Sequence, residues 1–118
     1  MNVNAKAIRN KSPETLYLRD IIRRSVQEIQ DQIINAARDN LSHVRYTLQQ
    51  NFDVKNLTNS VSQTYVYSNI IQVLKDNEFE VKLHLTDREN CIIVRWTAAL
   101  DKKEIEYHKQ VIKDALSS

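Results

Sequence analysis

Residues 74–96 read LKDNEFEVKLHLTDRENCIIVRW, and how this stretch is read decides the fold. A helix runs out at Asn77. Phe79, Val81, Leu83 and Leu85 then alternate with Glu80, Lys82 and His84, the period-two pattern of a half-buried strand. Asp87-Arg88-Glu89-Asn90 turns the chain, and CIIVRWT brings it back. The return strand is apolar on both faces, which predicts a central place in a sheet. Such a hairpin is either the wing of a nucleic-acid reader or a piece of sheet over a core. Its tip sets Asp87 and Glu89 beside Arg88, whereas a wing that grips phosphates needs clustered cations. The sheet reading is favoured.

Upstream, Ser12-Pro13-Glu14 is a helix start: a capping hydroxyl, proline at the first helical position and an acid in the first turn. Leu18, Ile22, Val26, Ile29, Ile33 and Ala36 follow at steps of three and four, one apolar stripe along a helix of about 26 residues. Ile21 and Ile34 widen it. At roughly 39 Å such a helix is long for this chain, and part of it is expected to lean on something else. The opposite side carries Arg19, Arg23, Arg24, Gln27 and Asp31, the candidate docking residues. HVRYTL then alternates as a strand with Val44, Tyr46 and Leu48 inward. QQNFDVKNLTNS is a loop pinned by Phe52, Val54 and Leu57. A second helix runs from about Val61 to Asp76, capped by Ser60 or Ser62, with Val66, Ile70, Val73 and Leu74 inward. Asp101 and Glu104 form a capping-box pattern for a last helix, with Ile105, Ile112 and Ala115 inward. Trp96 and Tyr46 are read as core.

The expected fold class is therefore α+β: a three-stranded antiparallel sheet packed by a long N-terminal helix, a middle helix and a C-terminal helix. Winged-helix domains share this order. Residues 1–11 read as a flexible basic arm and residues 12–118 as a single domain, the usual outcome at 118 residues.

Composition narrows the chemistry. The chain has no glycine, where average usage of roughly 7% would supply about eight. Glycine-dependent phosphate loops, Walker or dinucleotide-binding, are excluded. Left-handed backbone positions must fall to other residues, and Asn40, Asn77 and Asn90 stand where they are wanted. Cys91 is the one cysteine. An internal disulfide is impossible, and in an apolar run it reads as a small hydrophobe. His43, His84 and His108 lack ligand spacing, and no nucleophile has a base beside it in sequence. Neither an enzyme nor a cofactor or metal is expected. No apolar run approaches the roughly 20 residues that span a bilayer, so no membrane partner is expected. The N-terminus lacks the apolar core of a secretory signal, so the protein is expected not to be secreted.

Two modes of action remain. The first is protein–protein contact through the first helix. The second is nucleic-acid binding in winged-helix fashion, with Gln63 and Tyr67 presented by the second helix, Arg88 at the hairpin tip, and Lys6, Arg9 and Lys11 in the arm. The formal charge of +2 is modest for the second.

The strings INAARDNLSHVRYTL (34–48), YSNIIQVLKDNEFEVKL (67–83) and CIIVRW (91–96) together resemble a family of small proteins of large DNA viruses and tailed phages. That family shows a helix ending in paired alanines, a strand, a second helix closed by a glycine-aromatic turn, and a strand ending in tryptophan. The likeness covers about residues 29–97. The family's two turn glycines are replaced here by Asn40 and by Asn77-Glu78. The resemblance implies a virion or host-cell-interior setting, and a minor structural or assembly role. Its partners would be other virion or assembly proteins, or further copies of the chain. It supplies no catalytic residues.

Overall fold

The computed structural model describes the backbone of residues 12–117, and the side chains of 12–96 and 106–117. The basic arm with Lys6, Arg9 and Lys11 lies outside the described residues, as do the side chains of Asp101, Glu104 and Ile105. The elements are α1 (Pro13–Arg38), β1 (His43–Leu48), α2 (Asn59–Asp76), β2 (Glu80–Leu85), β3 (Asn90–Arg95) and α3 (Thr97–Leu116). The fold is α+β, with one open antiparallel sheet in the order β1-β3-β2. The doubly apolar strand is central, as its composition requires.

α1 begins as its sequence dictates. Ser12 accepts from the Thr15 amide at 3.2 Å, and Pro13 holds the first position. α1 and α2 end in the same way. After α1, Asn40 takes a φ of 60°, while Asn40 N–H reaches Ala37 O and Leu41 N–H reaches Ala36 O. After α2, Glu78 takes a φ of 69°, while Glu78 N–H reaches Lys75 O and Phe79 N–H reaches Leu74 O. Both are Schellman closures, in which a left-handed residue lets two amides satisfy orphan carbonyls. Each throws the chain directly into a strand. Asn40 is left-handed as expected. Asn77 is not, its φ being −97°, because it is the cap and the left-handed position falls one residue later. Asn90 is not either: it is the first residue of β3. Asn56, in the loop before α2, is the third left-handed residue among those described.

The start of α2 also departs from expectation. Its cap is Thr58, which accepts from the Val61 amide at 3.2 Å. Ser62 is buried inside the first turn and donates to Thr58 O. No short helix precedes α2; residues 51–58 are loop and turn. The three-helix core of a winged helix is thus lacking a member among the described residues.

α1 and α2 pack side by side on one sheet face, α1 over β1 and α2 reaching β2. Leu18, Ile21 and Ile29 of α1, Val66, Ile70 and Leu74 of α2, and Leu48, Ile92 and Val94 of the sheet form the core with Phe52 and Tyr67. Ile34 does not join it and is exposed. Tyr46 and Trp96 are half-buried, each at the margin of the sheet.

α3 begins at Thr97, four residues before the capping-box pattern, and one residue after β3 ends. Ile112 and Ala115, expected inward, are exposed, as is every described side chain from 106 to 117. Residues 106–117 of α3 therefore stand clear of the core. The radius of gyration, 19.4 Å, exceeds the roughly 13 Å of a compact chain of this length.

Candidate interaction surfaces

Two residues of the second helix expected to face a groove, Gln63 and Tyr67, are held by the fold instead. Asn59, Gln63 and Tyr67 recur at steps of four, so they share one side of α2. That side clamps the loop leaving β1. Asn59 accepts from the Phe52 amide at 2.8 Å and donates to Gln50 O at 2.9 Å. Gln63 donates to the same carbonyl at 2.6 Å. Tyr67 donates to Gln49 O at 2.5 Å and accepts from Asn90 Nδ2 at 3.0 Å. Tyr67 is 5% exposed, and burial holds its phenol above the ordinary range, partly offset by the Asn90 bond. Gln63 and Tyr67 are thus committed to the fold and unavailable to a groove. Arg88 is exposed at the hairpin tip, and its carbonyl accepts from Gln50 Nε2.

A shallow cleft of about 270 Å³ lies between α1 and β1, lined in part by Arg24, Glu28, Tyr46 and Gln49. Tyr46 donates to Glu28 at 2.5 Å. Burial, then the Glu28 bond, pushes the Tyr46 phenol up to about 12. A neutral phenol at that value is a poor base, and the carboxylate beside it is occupied. Among the described residues, no group of three or more His, Cys, Asp or Glu side chains is placed to hold a metal ion. No described helix is long and apolar enough to cross a membrane.

The outward side of α1 does present Arg19, Arg23, Arg24, Gln27 and Asp31 together, all exposed. Its charges are internally matched. Asp20 takes Arg23 at 2.7 Å and Arg24 at 3.1 Å, and Gln27 donates to Asp31 at 3.1 Å. The apolar stripe behind them, from Leu18 to Ile33, is covered by α2 and the sheet.

Two further surfaces lie elsewhere. The strand registers place His43, Arg95 and Glu80 in one outward row, Arg45, Ile93 and Lys82 in the next, and Thr47, Cys91 and His84 in the third. Among the described residues no helix covers this face, and His43, Arg45, Lys82, His84 and Arg95 are exposed on it. Arg45 pairs with Glu89 of the hairpin loop. Cys91 is nonetheless buried among its neighbours. Alternation in HVRYTL and EVKLHL already assigned these residues to one face. What the sequence lacked was the strand order that brings them side by side.

The other surface is α3. Tyr107, Val111, Ile112, Ala115 and Leu116 occupy one half of the helix, and Glu106, Lys109, Gln110, Lys113 and Asp114 the other. This is the pattern of a helix that buries one side. Here that side is bare, with Ile112 60% and Leu116 82% exposed. Amphipathic spacing was visible in the sequence, but the single-residue joint at Trp96 was not.

No family model, no curated protein and no solved structure matches this chain.

Proposed function

We propose that the chain is a non-enzymatic structural or assembly protein of a large virus or phage, a minor virion component that acts by binding other proteins. The observation that carries this is the bare apolar half of α3. An isolated amphipathic helix is marginal in water, and contiguous exposed apolar area marks contact surfaces in soluble proteins. The docking element is therefore α3 rather than the charge-matched outward side of α1. The viral setting draws on the family resemblance. Left-handed Asn40 and Glu78 support it, standing at the two turns where that family carries glycine. The test is co-sedimentation of the tagged chain with high-mass assemblies in its own host. The wild type enters them, and a Val111→Asp/Ile112→Asp chain stays at low mass. A wild type that sediments only as a free small protein overturns the reading.

A second reading is nucleic-acid binding, supported by the five basic or imidazole side chains on the open sheet face. It uses Arg45, Lys82 and Arg95 with Arg88, in place of Gln63 and Tyr67. Retention on a polyanion column decides it. Phosphate binding weakens steeply as salt rises, and Lys82→Glu/Arg95→Glu abolishes it. Elution at the lowest salt removes this reading.

A further inference from the structure

β2 is an edge of the sheet, and the hairpin shows which way its backbone points. Thr86 N–H bonds Glu89 O, so these two form a hydrogen-bonded pair. Antiparallel ladders alternate bonded and non-bonded pairs. Glu80, Lys82 and His84 therefore exchange bonds with their register partners Arg95, Ile93 and Cys91. Val81, Leu83 and Leu85 turn their N–H and C=O groups out of the sheet. The other side of β3 agrees: Trp96 N–H bonds Ser42 O, which gives Asn90, Ile92 and Val94 to β1. Among the described residues, none of the three outward residues bonds its backbone to another segment. Such an unpaired row is a template for a further strand, and neither proline nor bulge interrupts it here.

The side chains of the same three residues lie on the helix-bearing face, opposite Val94, Ile92 and Asn90. α2 reaches β2, yet Leu83 stays 40% and Leu85 62% exposed. Open backbone groups and open apolar side chains thus fall on the same residues. The other edge differs. On β1 the outward groups belong to His43, Arg45 and Thr47, all with polar side chains on the open face, so pairing there buries little apolar area. Pairing β1 with β2 of another copy would place the two helical layers on opposite faces, and the contact would propagate without closing.

β2 is complementary to itself. A two-fold axis through Leu83 sets Leu83 against its counterpart, and Val81 of each copy against Leu85 of the other. Every outward group is then bonded, about six hydrogen bonds in all. Both exposed leucines gain an apolar neighbour, and both helical layers stay on one face. Other registers fit less well. An axis at Val81 needs the Phe79 N–H, already given to Leu74 O, and leaves Leu85 bare. An axis at Lys82 opposes two ammonium groups, which is destabilising. An axis at His84 sets Val81 against Asp87. With the axis at Leu83, Lys82 meets the imidazole of His84 from the other copy.

We propose that two copies of the chain pair β2 with β2, antiparallel about Leu83, in one continuous sheet. The joined area is small, which marks a reversible pair. Sedimentation equilibrium of the full chain over a concentration series tests it. The wild-type mass rises from one chain toward two. Leu83→Pro holds it at one chain with unchanged circular dichroism, since that N–H faces away from β3 and an edge proline there costs no ladder bond. Leu83→Lys, which opposes two ammonium groups at the axis, does the same. On oxidation Leu83→Cys chains cross-link to one another, because the axis brings their Cα atoms within disulfide reach, about 4.4–6.8 Å. Lys82→Cys chains do not, being displaced along the ladder. A wild type that stays at one chain mass up to about 1 mM overturns the proposal. A dimer that survives both Leu83→Pro and Leu83→Lys overturns it, as does cross-linking through Lys82→Cys in place of Leu83→Cys. These variants leave Val111 and Ile112 of α3 untouched, so losing this pair and losing co-sedimentation are separate results.

Discussion

Asn90 and Tyr67 meet where the hairpin end of the sheet touches α2, the amide Nδ2 donating to the phenol oxygen at 3.0 Å. The phenol donates onward to Gln49 O at 2.5 Å. Both side chains are buried, so neither partner has water as a substitute. Tyr67→Phe leaves the buried Asn90 amide unmet and removes the bond to Gln49 O. The expected loss is about 1–3 kcal/mol, read as a lower urea midpoint at unchanged slope. A double-mutant cycle with Asn90→Ala should give a coupling above the roughly 0.5 kcal/mol within which distant sites add. An additive cycle would mean that the contact contributes nothing.

Glu78 closes α2 in the left-handed region, which costs a residue with a Cβ roughly 1–2 kcal/mol. Glycine removes that cost and adds about 0.5–1 kcal/mol of chain entropy. Glu78→Gly is therefore expected to raise stability by about 0.5–1 kcal/mol. Asn40→Ala should lower it by about 1 kcal/mol, because alanine tolerates that backbone less well than asparagine. Thermal midpoints that move in the same direction for both variants would contradict this account.

Burial and the Glu28 bond push the folded Tyr46 phenol up to about 12, whereas an unfolded tyrosine ionises near pH 10. Above pH 10 the native state keeps a proton that the unfolded state has released. Stability from this group is complete below pH 10 and declines as pH climbs toward 12. Tyr67 is shifted in the same direction. Tyr46→Phe should start lower at neutral pH, having lost the Glu28 bond, and decline less between pH 10 and 12. Urea midpoints at pH 9, 10 and 11 measure the two slopes, and parallel slopes would exclude Tyr46 as a source.

Cys91 is buried in the central strand, although its register points it to the open face. A buried structural thiol is inert until the fold opens. Labelling by an aromatic disulfide reagent should be slow in native buffer and quicken in step with the unfolded fraction as urea is added. Rapid stoichiometric labelling without urea would show that the strand's outer side is open to solvent.

Most of the fold was legible because local signals agreed with one another. Ser12-Pro13 opened α1, alternation gave β1 and β2, and an apolar run gave β3 and put it in the centre. The errors fall where two residues compete for one role. Thr58 outcompeted Ser60 and Ser62 as cap because Asn59 is already held by the backbone at Phe52 and Gln50. Glu78 took the left-handed position because the helix kept Asn77 as its cap. Tyr67 and Gln63 looked like surface residues on a polar helix, and only the path of residues 49–52 reveals what they hold. For α3 the spacing named an apolar side, but the covering partner is a tertiary matter that spacing does not encode.

β1 and β2 share no hydrogen bond with each other, and both pair only with β3. During synthesis the residues up to Glu89 therefore emerge with two strands and no ladder for either. Only when Asn90–Arg95 leaves the ribosome do both edges zip at once, one of them across a separation of up to 52 residues (His43 to Arg95). Such distant closure is slow, so premature chain termination before residue 90 should leave nascent fragments that rely on chaperones rather than a smaller stable domain.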